Sequence, residues 1–257
     1  MSVAYDRSGT GPPLLLIHGL GGERHIWRPV LPLLEPARDT IRVDLPGFGE
    51  SPILRDGEVP TAAAMAAELA RLLDELGIEK LDVAGNSLGA WVALELAKLG
   101  RALSVTCIAP AGLWAGPLAP KPYVMRNLAQ ALGPALAVVL MSPKMRRFAL
   151  VGSVAHPERV PREDATRIAV AYARSPGFVA ANDAMRAGHF TGGERIAVPV
   201  TIAWCEHDRL ISRPRVLRVK ADEVILRDCG HVPMYDDPPA VAEVLLAGST
   251  KRAAALA

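Results

Sequence analysis

Ser87 is the residue whose type and surroundings most clearly suggest chemistry. It lies in the pentapeptide Gly85-Asn86-Ser87-Leu88-Gly89, which follows a short apolar run and opens a stretch with helical spacing. A serine in such a turn has a strained backbone that holds its hydroxyl clear of neighbouring side chains, and the flanking glycines let strand and helix approach closely. The hydroxyl is a poor nucleophile unless a base lies within hydrogen-bonding reach and an acid orients that base. The pentapeptide therefore predicts a nucleophilic serine whose partners must come from elsewhere in the chain.

Asp208 and His231 are the candidate acid and base. Each lies just beyond a short apolar run that reads as a buried strand. Because parallel strands present their carboxyl ends at one edge of a sheet, we expect both side chains to meet Ser87 there. Glu206 lies two residues before Asp208 and remains an alternative acid.

A loop with free backbone amides is expected at the same edge. The segment His18-Gly19-Leu20-Gly21-Gly22 follows the apolar run Leu14 to Ile17, and its small residues leave N–H groups available. We predict that the amides of Leu20 and Leu88 form an oxyanion hole. His18 is expected to brace this loop rather than to titrate during a reaction.

Apolar runs and helical patterns alternate along most of the chain. This repetition predicts an α/β fold, with a mostly parallel doubly wound sheet and helices on both faces. The predicted strands are Leu14 to Ile17, Thr40 to Val43, Leu81 to Ala84, Leu103 to Ile108, Val200 to Trp204 and Val224 to Leu226. The clearest helices are Thr61 to Leu76, with Thr61 as N-cap, and Leu88 to Leu99, which Gly100 ends.

The alternation stops between about residues 112 and 196, where prolines divide short helical stretches. These prolines are Pro122, Pro134, Pro143, Pro161 and Pro176. Ser142 and Ser175 each precede a proline, as N-cap and first helical residues do. We predict a core of residues 1–111 and 197–257 and a helical cap of residues 112–196 that covers the site. Trp114 and His189, near the two ends of this cap, are the candidates for contact with the substrate.

Composition and charge narrow the range of partners. The 257 residues, 50% of them hydrophobic, suffice for one large α/β domain with an insertion or for two small domains. The net charge of +2 arises from 29 basic and 27 acidic residues without a basic block, which disfavours nucleic acid. No apolar stretch is long enough to cross a bilayer, and no signal-peptide pattern opens the chain, so a soluble protein is predicted.

The cysteines give no sign of a metal site. Cys107, Cys205 and Cys229 lack metal-ligand spacing, and their odd number favours reduced thiols in the cytoplasm. A bridge between Cys205 and Cys229 is the less favoured alternative. We expect no metal and no cofactor, and the oligomeric state stays open.

Taken together, these motifs resemble those of α/β-hydrolase-fold serine hydrolases over nearly the whole chain. The matching elements are the loop at His18, the segment from Asp44 to Ser51, the turn at Ser87, and then Asp208 and His231, in the order that this family uses. The resemblance implies a cofactor-independent hydrolase of carboxylic esters that forms an acyl-enzyme, with a cap that shapes the pocket. Because the cap is rich in Ala, Leu, Val and Met, we expect a small-molecule substrate with an apolar group.

Several other functions are also compatible with these motifs. A carbon–carbon bond hydrolase of ring-cleavage products would share the catalytic triad and Asn86, but such enzymes usually have Trp where this chain has Val232. A perhydrolase or a cofactor-free haloperoxidase would use the same triad. A small-molecule receptor could keep the fold with slow or absent turnover. An epoxide hydrolase or dehalogenase of this fold would need Asp at position 87, so both are disfavoured.

Overall fold

A seven-stranded sheet forms the centre of the molecule in a computed structural model that describes residues 3–55, 57–119, 123–133 and 135–250. The strand order is β1-β3-β2-β4-β5-β6-β7. The strands are β1 (Tyr5–Gly9), β2 (Pro13–Ile17), β3 (Asp39–Val43), β4 (Leu81–Asn86), β5 (Ala102–Ile108), β6 (Val200–Cys205) and β7 (Asp222–Leu226). Every neighbouring pair is parallel except β1 with β3. The structure thus confirms the predicted mostly parallel α/β sheet.

Helices cover both faces of this sheet. They are α1 (Leu31–Leu34), α2 (Ala62–Glu75), α3 (Leu88–Lys98), α4 (Val124–Leu132), α5 (Ala135–Val139), α6 (Pro143–Leu150), α7 (Arg162–Arg174), α8 (Phe178–Ala187) and α9 (Pro238–Thr250). Successive residues of β2 alternate between two hydrophobic clusters: Leu15 packs with side chains of α2 and α3, and Leu16 packs with side chains of α1 and α9. Because neighbouring side chains of a strand point to opposite faces, the sheet is buried on both sides.

Local signals in the sequence account for most of the boundaries. The Thr61 hydroxyl accepts a hydrogen bond from the amide of Ala64 at 3.1 Å, as expected of the N-cap of α2. Strand β1 was not predicted, because its sequence YDRSG is polar and its side chains alternate between exposed and half-buried positions. It adds to the sheet only as an antiparallel edge strand beside β3.

One predicted helix start is wrong. Ser142 does precede α6 as its N-cap, but Ser175 ends α7, and α8 begins only at Phe178. The Ser175 hydroxyl donates to the carbonyl of Ala171 at 2.6 Å. The serine therefore satisfies a carbonyl of the preceding helix instead of an amide of the following one.

The insertion, which is the chain between β5 and β6, forms α4 to α8, with no strand among its described residues. Its two ends lie side by side, since the amide of Phe190 donates to the carbonyl of Gly112 at 2.7 Å. Pro122 and Pro134, together with residues 251–257, lie outside the described ranges. Within those ranges, no helix is both long and apolar enough to span a membrane.

Candidate active site

The turn at Ser87 has the backbone that its sequence predicts. Ser87 joins β4 to α3 with φ 56° and ψ −117°, a conformation that side-chain-bearing residues rarely adopt. A Cβ atom on Gly85 would lie 2.2 Å from the carbonyl oxygen of Gly89, and one on Gly89 would lie 2.3 Å from that of Ile17. Only glycine fits at either position. The two glycines let α3 begin directly against β2 and β4.

Asp208 and His231 meet at the carboxyl edge of the sheet. The Nδ1 atom of His231 lies 2.8 Å from Oδ2 of Asp208, and their side chains are only 8% and 4% exposed. Because a carboxylate only accepts, Nδ1 carries the proton and Nε2 is left as an acceptor. The other carboxylate oxygen of Asp208 accepts from the amides of Leu210 and Ile211. Glu206 instead binds a backbone amide of the loop after β7, so the acid beside the histidine is Asp208.

Asn86 connects the serine turn to the histidine loop. Its side-chain amide donates to the carbonyl of His231 at 2.9 Å and to that of Ile108 at 3.3 Å. The Ser87 hydroxyl itself forms no hydrogen bond with any residue that the structure describes. In ligand-free enzymes the bond between serine and histidine often forms only when substrate arrives.

The loop after β2 packs directly against Ser87. A Cβ atom on Gly19 would lie 3.0 Å from that of Ser87. Leu88 is the first residue of α3, where amides have no partner within the helix and the helix dipole is positive. Over the described part of the chain, the amides of Leu20 and Leu88 donate to no acceptor. Both are therefore available to an anionic oxygen.

His18 holds this loop against the segment that follows β3. Its Nδ1–H donates to the carbonyl of Gly19 at 2.7 Å, and its Nε2 accepts from the amide of Leu45 at 2.9 Å. These two bonds require the neutral imidazole. The ring is fully buried, and burial lowers its pKa.

A buried arginine, which the sequence did not single out, supports the same loop. Arg24 binds Asp44, Asp6 and Glu50 through its guanidinium. Burial opposes the charge, but the bonds to these carboxylates outweigh it and raise the pKa of Arg24. Asp44 also accepts from the backbone amides of Arg24 and Glu50.

Two aromatic residues of the insertion lie over the loop after β2. A Cβ atom on Gly21 would lie 2.9 Å from the ring of Tyr172 and 3.1 Å from that of Phe178. The two rings pack edge to face at 5.0 Å, and burial raises the pKa of Tyr172. Sequence reasoning missed both residues, because no local pattern distinguishes them from other apolar residues of the insertion.

Trp114 and His189 lie together where the insertion leaves and rejoins the sheet. The Trp114 indole donates to the carbonyl of Gly188 at 2.8 Å and packs edge to face on Trp91 at 6.0 Å. His189 follows Gly188 and is half-buried. These contacts account for the position of Trp114. Contact of either residue with a substrate remains a prediction.

The cysteines form no part of this site. Cys107, Cys205 and Cys229 are buried and unbridged. Burial raises the pKa of each thiol, that of Cys229 to about 12, so all three are protonated and poorly nucleophilic at neutral pH. The residues that the structure describes include no cluster of side chains suited to a metal ion.

The sequence pattern of the alpha/beta hydrolase family matches residues 14–244. The chain belongs to the α/β-hydrolase family. It is therefore an enzyme of the hydrolase class, as the motifs predicted. Among its relatives, this hydrolase is 34% identical over 200 residues to the epoxide hydrolase EphH of Mycobacterium tuberculosis, a match that covers 72% of this chain and 93% of the relative.

Two esterases are also similar to this hydrolase. The pimeloyl-[acyl-carrier protein] methyl ester esterase of Legionella pneumophila is 40% identical over 97 residues, which are 38% of this chain and 36% of that protein. A thermophilic esterase from Thermogutta terrifontis superposes with a TM-score of 0.74 at 25% identity. That superposition covers 97% of this chain and 93% of the esterase.

Proposed function

We propose that this α/β-hydrolase cleaves carboxylic esters by nucleophilic catalysis at Ser87. The observation that carries the proposal is the buried bond of 2.8 Å between His231 Nδ1 and Asp208 Oδ2, at the sheet edge where the strained serine turn also lies. The bond leaves Nε2 of His231 free to accept a proton. The similarity to two esterases supports the same reaction class.

The proposed reaction proceeds through an acyl-enzyme. The Ser87 oxygen attacks the ester carbonyl while His231 Nε2 takes its proton, and Asp208 stabilises the imidazolium that forms. The amides of Leu20 and Leu88 bind the negative oxygen of the tetrahedral intermediate. His231 then protonates the departing alcohol. In the second half, His231 deprotonates a water that attacks the acyl group, releasing a carboxylic acid and restoring the serine.

The insertion is proposed to act as a cap. It would comprise residues 112–196, with residues 1–111 and 197–257 as the catalytic core. Tyr172 and Phe178 cover the loop that carries the Leu20 amide, so they would form part of the pocket wall together with Trp114 and His189. Such a wall suits an ester with an apolar acyl or alcohol group.

Ester hydrolysis agrees better with the site than the other hydrolytic activities considered. Epoxide opening through a covalent enzyme ester needs a carboxylate nucleophile, whereas position 87 is a serine. Asn86, the residue shared with carbon–carbon hydrolases, already uses its side-chain amide to hold the carbonyls of His231 and Ile108. It therefore gives no separate support for carbon–carbon cleavage. A receptor without turnover would not need the buried pair of His231 and Asp208.

The test compares the wild-type protein with Ser87→Ala on three substrate types: p-nitrophenyl esters of increasing chain length, a ring-cleavage product and styrene oxide. We expect turnover of the esters and a fall in kcat of about a million-fold in the variant, as in other serine hydrolases. Circular dichroism should show an unchanged fold. Equal ester turnover by wild type and variant would overturn the proposal.

A further inference from the structure

Hydrogen bonds to other parts of the chain hold the backbone at His231 and at the residues directly before and after it. After it, the amide of Val232 donates to the carbonyl of Ser153, in the insertion, at 2.7 Å. Before it, the amide of Gly230 donates to Oδ2 of Asp236 at 2.8 Å. The carbonyl of His231 itself accepts from Asn86. The position of the imidazole therefore depends on several contacts that the sheet alone does not provide.

Asp236 joins the histidine loop to the insertion. The oxygen that binds Gly230 also accepts from the amide of Ala155 at 3.0 Å, and Oδ1 accepts from that of His156 at 2.8 Å. Asp236 is 5% exposed, and no basic side chain within the described ranges forms an ion pair with its carboxylate. Its charge is met by three backbone amides from two segments. Hydrogen bonds to an ionised acceptor are about twice as strong as neutral ones.

The two segments also touch through their backbones. A Cβ atom on Gly230 would lie 2.6 Å from the amide nitrogen of Ala155. A larger residue at position 230 would separate the histidine loop from the insertion. Asp236 and Gly230 thus maintain the same contact by different means, one by bonding and the other by its small size.

The carboxylate of Asp236 does not cap the following helix, α9. The neighbouring Asp237 is the residue that accepts from the amide of Ala240, in the first turn of α9. Asp236 lies just before that turn and directs its carboxylate toward residues 155, 156 and 230 instead.

We propose that Asp236 is a positioning residue that sets the place of His231 by fixing the histidine loop to residues 153–156 of the insertion. The inference rests on the proposed role of His231 as the base. Catalysis requires that the reacting groups be placed accurately, and a displacement of one of them by about 1 Å can lower the rate by about 100-fold. Loss of the Asp236 contacts should therefore reduce chemistry more than substrate binding.

The first experiment uses Asp236→Asn, which keeps the size but removes one acceptor oxygen. With a short p-nitrophenyl ester, we expect kcat to fall between about 10-fold and 100-fold while KM changes by less than about two-fold. The proton resonance of the His231–Asp208 hydrogen bond, observed far downfield by NMR, should shift or broaden. A purely stabilising role would lower the melting temperature and leave both readouts unchanged in the folded protein.

The second variant, Gly230→Ala, tests the same contact independently. It should reproduce the fall in kcat, and it carries the test if Asp236→Asn does not fold. Matched controls are Asp237→Asn, which retains a good N-cap, and Gly152→Ala, where a Cβ would meet no atom within 4 Å. Both controls should keep wild-type kcat.

Failure of the positioning role and failure of ester hydrolysis give different results. If wild type reacts with a fluorophosphonate probe but hydrolyses no ester, the proposed function fails, and slower labelling of Asp236→Asn would still support the positioning role. If folded Asp236→Asn kept the kcat, the labelling rate and the NMR signal of wild type, the positioning role would be overturned. If wild type does not label at all, both proposals fall.

Discussion

The proton on each histidine ring is set by the partner of Nδ1. In His231 the partner is the carboxylate of Asp208, and in His18 it is the carbonyl of Gly19. Both partners only accept, so both rings carry their proton on Nδ1 and present a lone pair on Nε2. The lone pair of His231 is the proposed base, whereas that of His18 is already occupied by the amide of Leu45. The same chemical group is thus the proposed base at one position and a structural hydrogen-bond acceptor at the other.

Replacement of Asp208 by Asn should therefore act through the tautomer of His231. An Asn side chain can present its NH₂ group to Nδ1, which would move the ring proton to Nε2 and remove the base. We expect kcat to fall by about 10⁴-fold, as in other triads, with little change in thermal stability. The matched control is Glu206→Gln, measured on the same ester. If Glu206→Gln lost activity and Asp208→Asn did not, the acid would be Glu206.

His18 predicts a pH dependence of stability. Its pKa is lowered in the folded protein, so the unfolded chain binds more protons below the ordinary histidine pKa of about 6.5. The contribution of His18 is fully present above that pH and is lost as the pH falls toward the lowered pKa, by at most about 1.4 kcal/mol per pH unit. Urea unfolding of wild type and His18→Gln from pH 8 to pH 5 checks this. The stability gap between them should narrow on acidification, and a constant gap would contradict the account.

At the scale of elements, the serine turn depends on the close packing of α3 against β2 and β4. The apolar run of β4 and the helical spacing after Ser87 predicted both elements correctly. The closeness of their packing is visible only in the structure, where Gly89 lies against the carbonyls of Ile17 and His18. A change at this glycine should therefore disturb the serine, although Gly89 takes no part in the reaction.

Gly89→Ala provides that test. Its Cβ would lie 2.3 Å from the carbonyl oxygen of Ile17, so α3 must shift. We expect a loss of stability of about 1 to 3 kcal/mol and a clear fall in kcat. Gly116→Ala is the matched control, because a Cβ there would meet no atom within 4 Å. Wild-type kcat in Gly89→Ala would show that the turn tolerates movement of the helix.

At the scale of the whole molecule, the two ends of the parallel strands have different roles. The carboxyl edge carries Ser87, Asp208 and His231, and the amino edge holds a buried ion pair in which Arg38 binds Asp82 at 2.9 Å. Arg38 also donates to Ser249 in α9, and Ser104 donates to Asp82. The network joins α9 to the start of β4, at the end of that strand remote from the serine.

Arg38→Met should therefore separate stability from activity. Removal of the guanidinium breaks the buried ion pair between Arg38 and Asp82, which typically costs about 3 to 5 kcal/mol. We expect a lower free energy of unfolding in urea but an unchanged kcat/KM in the folded protein. A large fall in kcat/KM, measured well below the melting temperature, would contradict the separation of the two edges.

The sequence predicted the parts of the molecule whose signals are local. Continuous apolar runs revealed the parallel strands, and the glycines around Ser87 revealed the strained turn between β4 and α3. Contacts between distant segments were not predictable in the same way. Asp236 looks like an ordinary acid before a helix, but two of its three amide partners, Ala155 and His156, precede it by 81 and 80 residues in the chain. Tyr172 and Phe178 were missed for the same reason, since only folding brings them over Gly21.

The central claim is that Ser87 is the nucleophile of an ester hydrolase. The most direct measurement is titration with a fluorophosphonate probe, followed both by residual turnover of a short p-nitrophenyl ester and by mass spectrometry of the labelled peptide. The account predicts one adduct per chain, located on Ser87, with ester turnover falling in proportion to labelling. An adduct on another residue, or full turnover after complete labelling of Ser87, would contradict it.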